Sequence, residues 1–301
     1  MKKILISGGS GLVGKALTKK LIDKGYDVHI LSRNPEVLKD VKAFKWDVSK
    51  GEIDKRAFKG ISAIIHLAGA GIADKRWTKK RKAILINSRV KSANLLYATA
   101  KKTNTSLNVF ISASGINYYG SATTPHIYVE SDPPSNSFIS ECCVKWEAAA
   151  DKFSDLTRVV KLRTGVVLSK NGGALDRMAK PIKWGIGSPL GKGQQYMPYV
   201  HISDLCDMYI YALENENVSG VYNACNGDHL TNIELTEALA YEFKKRLWAP
   251  KVPALALKLL LGEMSQIVLY GSRATSDKIK ATGFEFKFQN IHQTLFDIYE
   301  R

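Results

Sequence analysis

The sequence predicts an α/β fold built on a doubly wound parallel sheet, followed by a smaller C-terminal lobe. Two observations predict it. Short apolar runs alternate with amphipathic stretches over the first two-thirds of the 301 residues, and a glycine-rich segment directly follows the first run. The runs are continuous rather than alternating, as in Ile4-Leu5-Ile6, which is typical of strands that helices cover on both faces.

The elements follow in order along the chain. Apolar runs predict strands at residues 3–7, 27–32, 43–47, 63–68, 108–112 and 159–168. Between them, helical spacing of apolar residues predicts helices at residues 12–24, 84–101 and 138–153. Gly25 follows the first helix where a C-terminal glycine is favoured.

Composition excludes several classes of protein. With 45% hydrophobic and 24% charged residues, the chain is neither disordered nor fibrous. No apolar run reaches the roughly 18 residues of a membrane span, and the N-terminus lacks the pattern of a secretory signal, so we expect a cytoplasmic protein without membrane contacts. The four cysteines and six histidines show no zinc-binding spacing, so no metal site is expected.

The strongest local motif is the glycine-rich segment at residues 7–14, SGGSGLVG, between the first strand and the first helix. Gly8 permits a tight turn, Gly11 lets the backbone approach a pyrophosphate, and Gly14 allows close helix–strand packing. The N–H groups of the following helix then face the anion. This strand–loop–helix context predicts a Rossmann dinucleotide-binding domain over residues 1–168. Residues 169–301 are expected to form the substrate lobe, which could return a strand to the main sheet.

The residues after the second strand favour NADP over NAD. An acidic residue there would bind the ribose 2′-hydroxyl of NAD, but the chain has Ser32 and Arg33, which suit a 2′-phosphate. An arginine serving only as a surface cation is the alternative. Asp47 after the third strand is positioned for the adenine amino group. The candidate cofactor contacts are Gly8, Ser10, Gly11, Leu12, Val13, Gly14, Ser32, Arg33, Asp47, Val48, Leu67, Ala68, Gly69 and Asn87.

These motifs resemble the short-chain dehydrogenase/reductase superfamily in its extended form. The chain is most similar to an atypical NAD-dependent epimerase/dehydratase-like family with a family-specific C-terminal segment. The resemblance spans nearly the whole chain and implies the fold and nucleotide binding. It also implies a site role for Asn87, which matches a helix asparagine of that superfamily, with an ordinary polar contact in mid-helix as the alternative. The matching segments are Arg76-Trp77, Ile86-Asn87-Ser88-Arg89-Val90, Ser112-Ala113-Ser114, Tyr118-Tyr119-Gly120, Trp146-Glu147 and residues 163–168, 172–175, 199–204, 271–273 and 283–284.

One departure from that superfamily concerns the chemistry. Its catalytic members pair a serine after the fifth strand with Tyr-x-x-x-Lys on the next helix, where the tyrosine moves a proton and the lysine lowers its pKa. Here that helix has Phe138 and Cys142 near the expected positions, and Lys145 falls on another face. The usual relay is therefore absent. Ser114, with Tyr118 or Tyr119, is the candidate for a nonstandard proton donor.

The charge balance concerns the partners. Lys and Arg exceed Asp and Glu by 44 to 28, a net charge of +16, which favours anionic partners: a phosphorylated cofactor, an acidic substrate, nucleic acid or a membrane surface. The charge does not choose among these, and we expect a small-molecule substrate of anionic character. Arg76 and Trp77, in a basic run at residues 74–82, and Arg273 are the candidate substrate contacts, with a solvated helix start as the alternative for the run. No specific nucleic-acid motif is present, and a homo-oligomer is left open.

Two functions follow from these observations. The first is an NADP-dependent oxidoreductase or epimerase-like enzyme with the nonstandard proton donor. The second is a sensor or interaction protein that binds NADP without turnover. The missing tyrosine–lysine pair favours the second, and the substrate-lobe segments at residues 172–175 and Arg273 favour the first.

Overall fold

A computed structural model of the chain describes residues 2–37, 41–120 and 122–300. Within these ranges the strands are β1 (Lys3–Ser7), β2 (Asp27–Ser32), β3 (Lys42–Asp47), β4 (Glu52–Ile53), β5 (Ile61–His66), β6 (Val109–Gly115), β7 (Ile127–Tyr128), β8 (Arg158–Thr164), β9 (Val166–Leu168), β10 (Tyr199–His201), β11 (Gly220–Ala224) and β12 (Arg273–Ala274). The helices are α1 (Leu12–Asp23), α2 (Lys79–Lys102), α3 (Phe138–Asp151), α4 (Ala174–Lys183), α5 (Ile202–Glu214), α6 (Asn232–Glu242), α7 (Ala254–Leu261), α8 (Gln266–Leu269), α9 (Asp277–Lys280) and α10 (Ile291–Glu300).

The main sheet confirms the doubly wound fold. Across the described residues it has eight strands in the order β11-β8-β6-β5-β1-β2-β3-β4, and every neighbouring pair except β3–β4 is parallel. The chain runs from β1 towards β3 on one side and from β5 towards β11 on the other, so the order reverses between β1 and β5. Ligands of such sheets bind beyond the carboxyl ends of the strands at this reversal.

Both faces of the sheet are buried, as the continuous apolar runs predict. In β1, Ile4 and Ile6 pack in one cluster with α1 and α5, whereas Leu5 packs in a second cluster with Leu96 of α2 and with Phe153. Alternate side chains of a strand point to opposite faces, so one apolar run supplies both layers.

The single strand expected over residues 159–168 is wrong, because β8 ends at Thr164 and β9 begins at Val166. A Cβ at Gly165 would lie 2.4 Å from the carbonyl oxygen of Pro198. The glycine therefore lets the 198 segment cross closely, and β9 leaves the main sheet to pair with β10.

The C-terminal part packs on its own apolar cluster, formed by α4, α6 and α10 over β9 and β10. It also contributes β11, which pairs with β8 as an edge strand of the main sheet. Among the described residues, no helix is both long and apolar enough to cross a membrane.

Candidate functional site

The glycine loop between β1 and α1 is fixed by close backbone contacts. Gly8 has a φ of 80°, and a Cβ there would lie 2.8 Å from the backbone nitrogen of Ala68. A Cβ at Gly14 would lie 2.2 Å from the carbonyl oxygen of Gly8. The loop, the start of α1 and the end of β5 can therefore be this close only because these two positions lack side chains.

The N-terminus of α1 faces this loop without a protein partner for its charge. Its N-cap is Gly11, no side chain caps it, and no acidic residue lies in its first turn. The N–H of Gly11 donates to the carbonyl oxygen of Gly8 at 3.0 Å, which holds the turn. The remaining first-turn N–H groups and the helix dipole form a site for an anion such as a diphosphate.

The buried side chain of His66 supports the glycine loop through hydrogen bonds. The His66 Nδ1 lies 2.6 Å from the Ser7 Oγ, and its Nε2 lies 3.2 Å from the Ser92 Oγ, so the ring joins the ends of β1 and β5 to α2. Burial lowers the pKa of His66 to about 4, so the ring is neutral at physiological pH. No local sequence pattern indicates this role for His66.

The predicted specificity residues lie at the carboxyl ends of neighbouring strands. Ser32 ends β2, and its Oγ accepts from the N–H of Asn34 at 3.2 Å. Arg33 is exposed beside it. Asp47 ends β3, where hydrogen bonds from the side chain and backbone of Ser49 lower its pKa.

The other predicted cofactor residues lie in two regions, the carboxyl edge of the sheet and helix α2. Leu67, Ala68 and Gly69 follow β5 directly, and Val48 follows β3, so all four lie at the same edge of the sheet. Asn87, by contrast, is exposed on α2. The buried side chain of this helix turn is Arg89.

A cavity of about 780 Å³ extends from Leu12, at the start of α1, to the C-terminal lobe. The end of β6, at Ser114 and Gly115, and residues 164–167 form its floor. Residues of α3, α4 and α8 form its sides. The start of α1 and the C-terminal lobe therefore border one continuous space, and its volume is typical of a ligand pocket.

Four side chains of α3 line this cavity: Ile139, Cys142, Cys143 and Trp146. None of the four is a tyrosine or a lysine. Phe138 instead packs on Trp77 at 5.2 Å between ring centroids, and Lys145 pairs with Glu141 at 2.6 Å on the exposed face.

The two cavity thiols stay protonated. Burial raises the pKa of Cys142, and it raises the pKa of Cys143 to about 12. A neutral thiol is neither a general base nor a cation, so these residues cannot replace the tyrosine and lysine of related enzymes.

Ser114 belongs to a buried network behind the cavity floor. Its Oγ donates to Glu147 Oε1 at 2.7 Å, and both carboxylate oxygens of Glu147 accept from Arg163, at 2.8 and 2.9 Å. The side chains of Glu147 and Arg163 are only 7% and 3% exposed. The single proton of the serine points to Glu147, so its lone pairs can accept a hydrogen bond from a substrate hydroxyl.

The two tyrosines after β6 lie behind the same network. The centroid of the Tyr118 ring lies 3.3 Å from the Arg163 guanidinium carbon. The Tyr119 hydroxyl donates to Asn223 at 2.8 Å and accepts from Arg163 at 2.9 Å, and burial raises its pKa to about 12. Both tyrosines are described, and neither lines the cavity; of the three predicted catalytic residues, the structure brings only Ser114 to it.

The predicted substrate contacts support the cavity wall from outside. Trp77 is buried, and its Nε1 donates to the carbonyl of Ile72, which lines the cavity. Arg273 donates to the carbonyl of Pro125 and lies 5.0 Å from the ring of Tyr196, another lining residue.

The third predicted substrate residue, Arg76, donates to the carbonyl of Leu259 at 3.2 Å and so joins the basic run to α7. These three side chains are described, and none of them lines the cavity.

Arg89 and the Glu147–Arg163 pair are the site residues that sequence reasoning missed. Arg89 lines the cavity, donates to the carbonyl of Leu85 at 2.9 Å and lies 4.8 Å from the Trp146 ring. All three residues stand in the segments that carry the family resemblance, which was the available signal. The pairing of Glu147 with Arg163 is a tertiary contact between α3 and β8.

Comparison with known proteins assigns the family. The model of the NAD dependent epimerase/dehydratase family matches residues 4–225. The chain belongs to this family. A second model, a domain of unknown function (DUF1731), matches residues 252–298, which agrees with the expected family-specific C-terminal segment.

Several known proteins are similar to this chain over nearly its whole length. Epimerase family protein SA0724 of Staphylococcus aureus (strain N315) is 34% identical over 305 residues, 99% of each chain. The crystal structure of human epimerase family protein SDR39U1 (isoform 2) with NADPH is 30% identical, with a TM-score of 0.89 over 99% of each chain. A Thermus thermophilus UDP-glucose 4-epimerase in complex with NAD is 20% identical, covers 97% of this chain and 96% of that one with a TM-score of 0.79, and shows the fold alone.

Proposed function

We propose that this family member is an NADP-binding, epimerase/dehydratase-like oxidoreductase that holds the reacting oxygen of a small-molecule substrate beside Ser114. The observation that carries the proposal is the continuous cavity, which joins the uncapped start of α1 to Ser114. A nucleotide with its diphosphate on α1 would therefore reach the serine with its other end.

The residues present fit NADP. A Cβ at Gly8 or Gly14 would collide with neighbouring backbone, so these glycines let the loop hold the start of α1 against the end of β5. Ser32 and Arg33 follow at the end of β2, where a protein that prefers NAD has an acidic residue. The similar human protein was crystallised with NADPH, the same nucleotide that the sequence favours. When bound, the cofactor supplies or accepts a hydride.

The proton then moves through the chain's own residues. During oxidation of an alcohol, the substrate hydroxyl proton passes to Ser114 Oγ while the serine's own proton passes to Glu147 Oε1, 2.7 Å away. Reduction of a carbonyl returns the proton by the same path. Arg163 keeps the carboxylate in place through two hydrogen bonds. In this proposal Ser114 and Glu147 together move the proton, and neither Tyr118 nor Tyr119 takes part.

A second function, an NADP-binding sensor without turnover, is favoured by a specific observation. The cavity face of α3 carries two neutral thiols and no tyrosine or lysine. A dinucleotide could bind there without any proton transfer.

The cofactor is tested by thermal shift with NADPH and NADH. We expect a larger rise in melting temperature with NADPH, and a reversed preference in Arg33→Asp, since the new carboxylate repels a 2′-phosphate and accepts from a ribose hydroxyl. Arg246→Asp is the matched control, because this exposed arginine lies in the C-terminal lobe. Equal shifts with both nucleotides would contradict the choice of NADP.

Turnover is tested by a screen of alcohols and ketones with NADP and NADPH. We expect Ser114→Ala to lower kcat at least 100-fold without weakening NADPH binding, and Tyr118→Phe to leave kcat unchanged. A screen without turnover, alongside tight NADPH binding, would favour the sensor.

A further inference from the structure

A buried arginine of α2 lines the cavity without a carboxylate partner. Arg89 is 9% exposed. Of the five N–H donors of its guanidinium, one on Nη1 donates to the carbonyl of Leu85 at 2.9 Å. Among the residues that the structure describes, no acidic side chain forms an ion pair with Arg89. Most of its donors are therefore left for something other than protein.

The other charged residues of the cavity wall are exposed, within the described part of the chain. They are Asp74, whose side chain is 58% exposed, and Arg177, which donates to the carbonyl of Ala73. A cation that leaves water without an anion nearby costs free energy. The buried charge of Arg89 therefore suits a ligand that brings hydrogen-bond acceptors and negative charge to this part of the cavity.

One side of the guanidinium borders the backbone that the glycine loop contacts. A Cβ at Gly69 would lie 3.0 Å from the guanidinium carbon of Arg89, so the arginine packs directly on this glycine. The residue before it is Ala68, whose backbone nitrogen would lie 2.8 Å from a Cβ at Gly8. Arg89 is therefore next to the loop of the proposed diphosphate site.

The other side of the guanidinium faces α3. The guanidinium carbon of Arg89 lies 4.8 Å from the centroid of the Trp146 ring, and the next residue, Glu147, accepts from Ser114. Burial raises the pKa of Cys142 on the same helix, and the nearby positive charge of Arg89 acts against that rise. The guanidinium therefore lies between the proposed diphosphate site and the proposed reacting position.

In NADP, a phosphate and a ribose connect the diphosphate to the nicotinamide ring. With the diphosphate on α1 and the ring beside Ser114, this connection would lie at Arg89. We propose that Arg89 binds the ribose next to the nicotinamide and the phosphate attached to it, so that α2 supplies the positive charge that the cavity face of α3 does not carry. A planar guanidinium can donate to both groups at once. This inference rests on the proposed function, which names the cofactor.

The test compares three nucleotides by calorimetric titration of the whole chain. NADPH and 2′-phospho-ADP-ribose both contain this ribose and its phosphate, whereas adenosine 2′,5′-bisphosphate lacks both. Arg89→Gln removes the charge and should weaken the first two ligands by roughly tenfold or more, because hydrogen bonds from a charged donor are strong. The affinity for adenosine 2′,5′-bisphosphate should stay the same.

Two further variants serve as controls. Lys91 is exposed on the same helix outside the cavity, so Lys91→Gln removes an equal charge and should alter none of the three affinities. Arg89→Lys keeps the charge without the planar fork, so its NADPH affinity should lie between those of the unmodified protein and Arg89→Gln. If Arg89→Gln does not fold, Arg89→Lys should still weaken NADPH and leave adenosine 2′,5′-bisphosphate unaffected.

Two results would overturn the inference. Unchanged NADPH affinity in Arg89→Gln would show that the ribose and its phosphate lie elsewhere. An equal loss for all three nucleotides, with a lower melting temperature in their absence, would show that Arg89 only supports the cavity wall. Failure of the proposed function gives a different result, because the unmodified protein would then bind neither NADPH nor adenosine 2′,5′-bisphosphate, and the inference about Arg89 would fail with it.

Discussion

The two sides of the crevice are built by different means. On the side of the proposed nucleotide site, the first main-chain N–H groups of α1 have no side-chain cap, and glycines pack against neighbouring backbone. On the side of the proposed reacting position, the buried side chains are paired: Ser114 donates to Glu147, and Glu147 pairs with Arg163. The nucleotide side depends on the absence of side chains, and the opposite side depends on their pairing.

This difference predicts which amino-acid substitutions each side tolerates. A backbone site is disturbed by added volume, because the loop has no free space to yield. A buried ion pair is disturbed by removal of either charge, because the remaining partner stays in a poorly solvated place.

The largest effect is expected for Glu147→Gln. The change leaves the Arg163 charge buried without its carboxylate, so the free energy of unfolding should fall by about 3–5 kcal/mol. Urea denaturation measures it. Glu141→Gln, on the same helix but 54% exposed in its side chain, should change stability by less than about 0.5 kcal/mol. Similar losses in both variants would remove the contrast between buried and exposed pairs.

The next effect concerns pH and the support of the glycine loop. The pKa of His66 falls from 6.5 to about 4 on folding, so above pH 6.5 the ring is neutral in both states. Between pH 6.5 and 4 only the unfolded chain takes up this proton, and the histidine's contribution to stability falls by about 3 kcal/mol. Urea denaturation at pH 7.5 and 4.5 should show the loss.

The variant His66→Gln should lack this part of the pH dependence, whereas His126→Gln should keep it, because the His126 side chain is 55% exposed. An unchanged pH profile in His66→Gln would mean that other groups cause the acid sensitivity.

A third prediction separates binding from folding in the glycine loop. A Cβ at Gly11 would meet only the Gly8 carbonyl oxygen, at 3.3 Å, and Gly11 has an ordinary φ of −76°. Gly11→Ala should therefore fold, yet its methyl group should hinder the diphosphate and weaken NADPH at least tenfold. Calorimetric titration and a thermal melt measure the two effects.

Gly14→Ala is the matched comparison. Its Cβ would lie 2.2 Å from the same oxygen, so we expect the fold itself to be destabilised. Full NADPH affinity in Gly11→Ala would show that the diphosphate does not approach this residue.

The smallest effect is expected for Lys145→Ala. Its ammonium pairs with Glu141 at 2.6 Å on the exposed face of α3, and such pairs contribute about 0.3–0.5 kcal/mol. NADPH affinity should stay unchanged in calorimetric titration. A tenfold loss would show that this lysine takes over the ribose contact of the missing relay.

Local patterns predicted most of the main sheet. β1 and β2 have the predicted bounds, and α1 ends one residue before its predicted end, with Gly25 at a φ of 86° after it. Apolar runs and glycines act within a few residues, so they can be recognised in a sequence. The break at Gly165 was missed because its cause is the Pro198 carbonyl, 33 residues further along the chain.

The surroundings of Ser114 were less predictable for the same reason. Tyr118 and Tyr119 follow Ser114 closely in sequence, but they turn behind the floor and pack against Arg163. The residue that does meet Ser114 is Glu147, which reaches it from α3. Sequence proximity does not reveal this neighbour, because Ser114 and Glu147 lie 33 residues apart in the sequence and meet only through the packing of α3 against the end of β6.

By itself the sequence determined the doubly wound sheet, and it predicted the phosphate site and the preference for NADP, since each depends on residue types within one strand–loop–helix unit. Tertiary structure alone decided which side chains surround Ser114, where its hydroxyl proton points, and which distant segments line the cavity. Those properties arise where α3, α4 and α8 meet the carboxyl edge of the sheet, and packing between distant segments, rather than any local pattern, brings them there.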